Sequence, residues 1–240
     1  MSPARAIAGG LAVAGCAVAL GGPLQALAGR PSFVVHVLQV VLLSLVVAPL
    51  GLLALPAARV EAWLGRPGRA RAMRRLASPP LAGAIFSAHL AFWHLVPVHA
   101  WMTASSAAHA TALAGFFVSG LLAWWGVCAP TAETGRVREP AAMLYLFLLG
   151  VPLQLIAGIL TMTPRLLYAG YGAGPRGFGL SPLADQQAGG LILWVPAGLV
   201  LWIAITALWA RWSRRVASAA GKVGGDDEAP PLTIPGKPRR

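Results

Sequence analysis

The stretch FVVHVLQVVLLSLVVAPLGLLALP, which covers residues 33–56, decides the fold class of this chain. It contains no Asp, Glu, Lys or Arg, and its only polar side chains are those of His36, Gln39 and Ser44. A helix needs about 20 apolar residues to cross a bilayer core about 30 Å thick. Lipid offers no hydrogen bonds to an open backbone, so the run must be helical. Residues 33–56 therefore predict a transmembrane helix.

Comparable apolar runs recur along the chain. The predicted spans, about six, are 6–28, 33–56, 80–100, 107–129, 141–163 and 188–210. The first is either a retained span or a signal peptide cleaved near Ala28, because a short basic start precedes a Gly-broken apolar stretch. Residues 213–240 have too little apolar content to pack and predict a disordered cytoplasmic tail. Residues 1–212 predict an all-α, polytopic transmembrane helical bundle.

The composition excludes a soluble domain, because 57% of the residues are hydrophobic and 11% are charged, whereas roughly a quarter are charged in soluble domains. The net charge is +12. So few charges among so much apolar sequence cannot form a surface for nucleic acid, and we predict none as a partner. Cys16 and Cys128 lie far apart in apolar runs and predict no disulfide framework.

Arginines cluster in alternate connections. They are dense in 57–79 and recur in 129–140 and after 210, whereas 101–106 has no charge and 164–187 has few. By the positive-inside rule, the arginine-rich segments and the C-terminus lie in the cytoplasm. Apolar residues interleave with the arginines of 57–79, which predicts a short amphipathic helix on the anionic inner leaflet.

Histidines within spans are costly and therefore informative. Four of the five fall near the outer end of the predicted topology, and two methionines could join them. The candidate metal ligands are His36, His94, His99, His109, Met102 and Met162. Imidazole and thioether groups together suit copper, particularly Cu(I). His94 and His99 are five residues apart, which is not the i, i+4 spacing of a one-helix clamp, so interfacial histidines and a haem bridged by two of them remain alternatives.

Catalytic patterns are missing from the sequence. No Ser/His/Asp or Cys/His arrangement and no facing pair of carboxylates is visible, so we predict that the chain is not an enzyme. Residues 172–177 read GxGxxG but contain a proline and follow no strand, which favours a flexible outer loop over a dinucleotide site. Four prolines within spans predict kinks: Pro49, Pro97, Pro152 and Pro196.

Several segments carry a resemblance to a known family. They are FVVHVLQ (33–39), VAPL (47–50), WHLVP (93–97), His109 with Trp124 and Trp125, LSPLADQQAG (180–189) and WVP (194–196). In this order they resemble the CtaG-type cytochrome c oxidase assembly factors, over residues 33–212. The most specific part is DQQ-x-G, made of Asp185, Gln186, Gln187 and Gly189 and preceded by Tyr168 and Tyr171. Charged and amide groups at the mouth of a span are rarely tolerated without purpose.

The resemblance implies a bacterial inner-membrane protein, surrounded by the lipid bilayer, that acts as a chaperone in cytochrome c oxidase assembly. It further implies copper as cargo and oxidase subunits as partners. Two positions depart from the family pattern, since Val40 and Leu113 stand where the family has further histidines. The alternatives are a metal-free scaffold for an oxidase subunit and a small b-type cytochrome.

Asp185 is the polar residue about which the sequence makes the most definite prediction. We expect its carboxylate to face the outer mouth of the bundle, since an ionised group in hydrocarbon is costly. The expected partner is a histidine or Arg165, and Gln186 and Gln187 extend the same polar strip. In this interpretation Asp185 orients an imidazole or attracts a cation.

Overall fold

A computed structural model describes residues 2–130, 135–172 and 174–226 of the chain, and within them every regular element is helical. The α-helices are α1 (Pro3–Leu20), α2 (Pro23–Ala28), α3 (Phe33–Val41), α4 (Ala48–Ala54), α5 (Ala57–Leu64), α6 (Pro67–Leu76), α7 (Pro79–His94), α8 (Val96–Ala104), α9 (Ser106–Cys128), α10 (Glu139–Met162) and α11 (Pro182–Asp226). A π-helical segment, Leu42–Val47, joins α3 to α4, and 3₁₀ turns occur at Ala169–Tyr171 and Gly177–Gly179.

Membrane-spanning helices account for most of the described chain. Five helical stretches are long and apolar enough to cross a membrane: Pro3–Leu20, Phe33–Ala54, Ser106–Cys128, Glu139–Met162 and Pro182–Ala219. A sixth span results if α7 and α8, which are bent by 74° relative to each other, are counted together. This confirms the predicted all-α polytopic bundle.

The predicted span 80–100 is not a continuous helix, because α7 ends at His94 and α8 begins at Val96. Leu95 has φ −64° and ψ 129°, which is extended backbone. Pro97 has no N–H to donate to the Trp93 carbonyl, so a continuous helix would lose that bond. Proline is instead accepted in the first turn of a new helix, and α8 begins here with Leu95 as its N-cap. The expected kink is therefore a complete break. Pro152 and Pro196, by contrast, lie inside the continuous helices α10 and α11.

Pro49 is accommodated by the π-helical segment that precedes it. In a π-helix each carbonyl accepts from the N–H five residues later, as the Leu43 carbonyl does from the Ala48 N–H. The next carbonyl, that of Ser44, would need the N–H of residue 49, and Pro49 has none. The indole N–H of Trp124 on α9 supplies that donor at 3.1 Å. A Cβ at Gly120 would lie 2.7 Å from the same carbonyl oxygen, so glycine permits the close approach of α9.

The predicted tail begins at residue 213, but α11 continues to Asp226. Alanine and arginine, which favour helix, are frequent just beyond the span and extend it past the apolar run. Residues 227–240 of the predicted tail lie outside the described residues.

The bundle has two chemically distinct ends. At one end, which we call the arginine-rich end, Arg211 lies 3.9 Å from Glu139 and Arg215 also pairs with this carboxylate. The Val137 N–H donates to the Gly126 carbonyl at 2.8 Å, which joins the α9–α10 connection to the same end. The opposite end, where α3, α9 and α11 begin and α8 and α10 finish, is called the histidine end.

Candidate functional site: a histidine cluster at one end of the bundle

Four histidines meet at the histidine end. The ring centroids of His36 and His109 are 5.3 Å apart, those of His36 and His99 are 5.5 Å apart, and those of His94 and His99 are 6.3 Å apart. Each comes from a different helix: α3, α7, α8 or α9. The structure therefore brings together the four histidines that the sequence singled out. We call them the histidine cluster.

The break between α7 and α8 orients two of the rings. Pro97 leaves the Trp93 carbonyl without its helical donor, and His99 Nδ1 lies 3.1 Å from that oxygen. His94 Nδ1 lies 2.8 Å from the Leu90 carbonyl oxygen. Because a carbonyl only accepts hydrogen bonds, Nδ1 carries the proton in both rings. The Nε2 atom of each neutral ring therefore holds a lone pair.

The Nε2 atoms of the cluster differ in their partners. His99 Nε2 lies 3.1 Å from the Tyr171 hydroxyl, which donates to it. His94 Nε2 and His36 Nε2 are buried and have no hydrogen-bond partner in the part of the chain that the structure describes. Buried polar atoms are nearly always paired, so two unpaired imidazole nitrogens in one cluster indicate a functional site.

His36 and His109 form a direct pair. His36 Nδ1 lies 3.2 Å from His109 Nε2, and one nitrogen donates a proton to the other. The position of His36 is fixed by the start of α3, where the Ser32 hydroxyl accepts from the Val35 N–H at 3.2 Å. Both rings border an open cavity of about 570 Å³, together with Gln39 and Met102. The cavity gives His36 and His109 access from outside the bundle, whereas His94 and His99 are not among the described residues that line it.

Two aromatic rings that the sequence did not assign to the site cover the cluster. The Tyr168 ring stacks on His99 with centroids 3.9 Å apart, and its hydroxyl donates to the His94 carbonyl at 2.8 Å. Phe33 lies 4.9 Å from Tyr168 and 5.5 Å from His99 between ring centroids. Burial raises the pKa of the Tyr168 and Tyr171 phenols, so both stay protonated and act as donors. The only signal of the two tyrosines in the sequence was their position just before the DQQ segment.

Asp185 is fully buried, with 0% of its surface exposed. Its carboxylate accepts hydrogen bonds from the backbone N–H groups of Phe33 at 2.8 Å and Val34 at 3.2 Å. Its ion-pair partner is Arg176, at 3.2 Å. The prediction of a histidine or Arg165 as partner was therefore wrong. Among the described residues Asp185 contacts no imidazole; it pairs with a cation, Arg176, and binds the N-terminus of α3, where a negative charge is favoured.

Gln186 anchors the connection between α10 and α11. Its Oε1 accepts from the backbone N–H groups of Leu167 at 2.7 Å and Tyr168 at 3.1 Å. Its Nε2 donates to the Arg165 carbonyl at 3.0 Å. One buried amide thus fixes the backbone that leads up to Tyr168, the residue that stacks on the cluster.

Two more side chains complete the anchoring. Gln187 Nε2 donates to the Thr163 carbonyl at 3.1 Å. Arg176 donates to the Tyr168 carbonyl at 2.8 Å, and its guanidinium carbon lies 5.3 Å from the Tyr171 ring centroid. The expectation of a flexible loop at 172–177 missed this role, because Arg176 comes from that loop and is only 1% exposed. The α10–α11 connection is therefore a structured cover over the histidine cluster.

The remaining candidate ligands lie in different surroundings. Met102 is buried beside His36 and His109 at the cavity. Met162 ends α10 with 75% of its surface exposed, so the structure does not bring it into the cluster. His89 lies apart from the cluster and bonds the Ala112 carbonyl at 3.2 Å. Within residues 2–130, 135–172 and 174–226, no three His, Cys, Asp or Glu side chains are arranged to hold a metal ion.

Comparison with known proteins supplies the family. The model of the cytochrome c oxidase caa3 assembly factor family (Caa3_CtaG) matches residues 1–215. No curated protein and no solved structure matches the chain. The match includes every element that builds the histidine cluster and its cover.

Proposed function

The chain belongs to the cytochrome c oxidase caa3 assembly factor family, and from this premise we propose that it carries copper at the histidine cluster and passes it to an oxidase subunit. Copper is cargo in this proposal, and the role is non-catalytic. We place the protein in the bacterial inner membrane with its arginine-rich end in the cytoplasm, as the positive-inside rule requires. The histidine cluster then lies at the outer face.

One observation carries the proposal, namely the fixed tautomers of His94 and His99. Ligating histidines usually donate their other N–H to a carbonyl or carboxylate, which sets ring orientation and basicity. Both rings make such a bond to a backbone carbonyl, at 2.8 Å and 3.1 Å. Nε2 of His94 is thereby left as a free, buried ligand atom.

In this proposal copper binding requires a small rearrangement, because no three His, Cys, Asp or Glu side chains of the described residues are arranged as a ligand set. The Tyr171 hydroxyl must leave His99 Nε2, and the His36–His109 pair must open. Met102 stands beside these rings as a soft ligand suited to Cu(I). Hydrogen bonds that compete with the metal suit a carrier, because they favour release of the cargo.

The proposal is tested in cells by the copper content and activity of the host's oxidase. We expect His94→Ala to lower both while the protein stays at its normal level in the membrane. His89→Ala is the matched control, because it removes a histidine outside the cluster, and it should leave both unchanged. Normal copper content and activity in the His94→Ala strain would leave the metal-free scaffold as the function. A Soret band in the purified protein would instead identify a b-type cytochrome.

A further inference from the structure

Another cavity lies at the arginine-rich end, the end of the bundle opposite to the histidine cluster. It is an open groove of about 520 Å³ between α4, α5, α6 and α9. Its walls include Leu52, Trp63, Phe117 and Leu121, and among the described residues Arg59 is the one charged residue that lines it. The volume lies in the range of about 300 to 1,000 Å³ that is usual for small-molecule sites.

The groove owes its shape to the amphipathic helices α5 and α6. Val60 is buried and anchors α5 to the bundle, while Trp63 is half exposed at the edge of the groove. Arg69 on α6 donates to the Trp63 carbonyl at 3.5 Å, and its guanidinium carbon lies 5.9 Å from the indole centroid. The two helices thus place Arg69 against an aromatic ring at the edge of the groove that Arg59 lines, a combination typical of the membrane interface.

The charge around the groove is unbalanced. The arginines of α5, α6 and the two-residue connection between them are Arg59, Arg66, Arg69, Arg71, Arg74 and Arg75, and the acidic residue among them is Glu61. None of these arginines has an ion-pair partner within the described residues. An apolar groove that opens beside uncompensated positive charge is complementary to an amphiphile with an anionic head.

We propose that the groove binds an anionic phospholipid, with one acyl chain along the apolar walls and the phosphate at Arg59 and Arg69. A soluble ligand would leave the apolar walls facing lipid, and a neutral lipid would leave the arginines without a counter-charge. The site is independent of the histidine cluster and of copper.

Gly51 allows the groove to be blocked without disturbing the fold. It lines the groove, and a Cβ at this position has no heavy atom within 4 Å. Gly51→Leu therefore places a side chain in the groove and also raises helix propensity. Gly10→Leu is the matched control, because Gly10 on α1 likewise has no heavy atom within 4 Å of its Cβ. Arg59→Gln removes the positive charge that lines the groove. Its control is Arg165→Gln, which removes an exposed arginine at the other end of the bundle.

The experiment is native mass spectrometry of the full-length protein released from micelles with equal amounts of phosphatidylglycerol and phosphatidylcholine. We expect the wild type, Gly10→Leu and Arg165→Gln to retain more phosphatidylglycerol than phosphatidylcholine. Gly51→Leu should lose it, and Arg59→Gln should bind it about fivefold more weakly, the effect of one interfacial arginine. Equal retention of both lipids by the wild type, or unchanged retention by Gly51→Leu, would overturn the proposal. A wild-type dimer that Gly51→Leu abolishes would assign the groove to a second copy and overturn it as well.

Discussion

At the scale of single residues, the contacts of Asp185 decide whether the histidine end keeps its shape. Asp185→Asn leaves the buried guanidinium of Arg176 without its counter-charge and weakens the bonds to the start of α3. Breaking a buried ion pair from one side costs about 3 to 5 kcal/mol. We therefore predict a marked fall in the unfolding temperature in detergent and in the level of protein in the membrane.

A double replacement distinguishes the charge effect from a packing effect. Asp185→Leu combined with Arg176→Met removes both charges, and such replacements of buried pairs are often neutral. The double variant should unfold at a higher temperature than Asp185→Asn. Stability of Asp185→Asn equal to the wild type would show that the ion pair does not hold the end of the bundle together.

The sequence predicted that the four histidines lie at one end, which the structure shows, but it did not predict the partner of Asp185. Consecutive membrane-spanning helices run in opposite directions. The predicted order of the spans therefore placed four histidines at one end, namely His36, His94, His99 and His109. The partner of Asp185 could not be found this way. Arg176 lies in a glycine-rich connection without periodicity, and only the fold carries its side chain into the interior.

At the scale of elements, the junction of α3, the π-helical segment and α4 depends on one hydrogen bond from α9. Trp124→Phe keeps most of the aromatic packing but leaves the Ser44 carbonyl without the indole donor. Removing one partner of a buried hydrogen bond costs about 1 to 3 kcal/mol. We predict a lower unfolding temperature for Trp124→Phe.

Trp202→Phe is the control for this prediction. Trp202 is about half exposed on α11, so the same change there removes no described hydrogen bond and should leave the unfolding temperature unchanged. Equal unfolding temperatures for Trp124→Phe and the wild type would mean that the carbonyl finds another donor.

The same elements show what hydropathy predicts and what it does not. Span positions followed from the sequence, because the bilayer imposes a minimum apolar length. The effects of the prolines on the helices did not follow from the sequence. Pro49 is absorbed by a π-helical segment, Pro97 coincides with a break, and Pro152 lies in a continuous helix. These outcomes depend on whether neighbouring elements supply donors to the freed carbonyls, which no local pattern encodes.

At the scale of the whole molecule, the orientation of the bundle is the next prediction. Arg71→Cys at the arginine-rich end should be protected from an impermeant thiol reagent in intact cells, whereas Ser106→Cys at the histidine end should react. Both variants are made in a chain with Cys16→Ser and Cys128→Ser, because these are the native cysteines. Labelling of Arg71→Cys from outside would reverse the bundle and place the histidine cluster in the cytoplasm.

The proposal that the histidine cluster carries copper can be tested by X-ray absorption at the copper edge of the Cu(I)-loaded protein. We predict imidazole scattering in the wild type and in His89→Ala, with a clear loss of that scattering and of bound copper in His94→Ala. Sulfur-only coordination that is the same in His94→Ala, or no retained copper in the wild type, would contradict the claim.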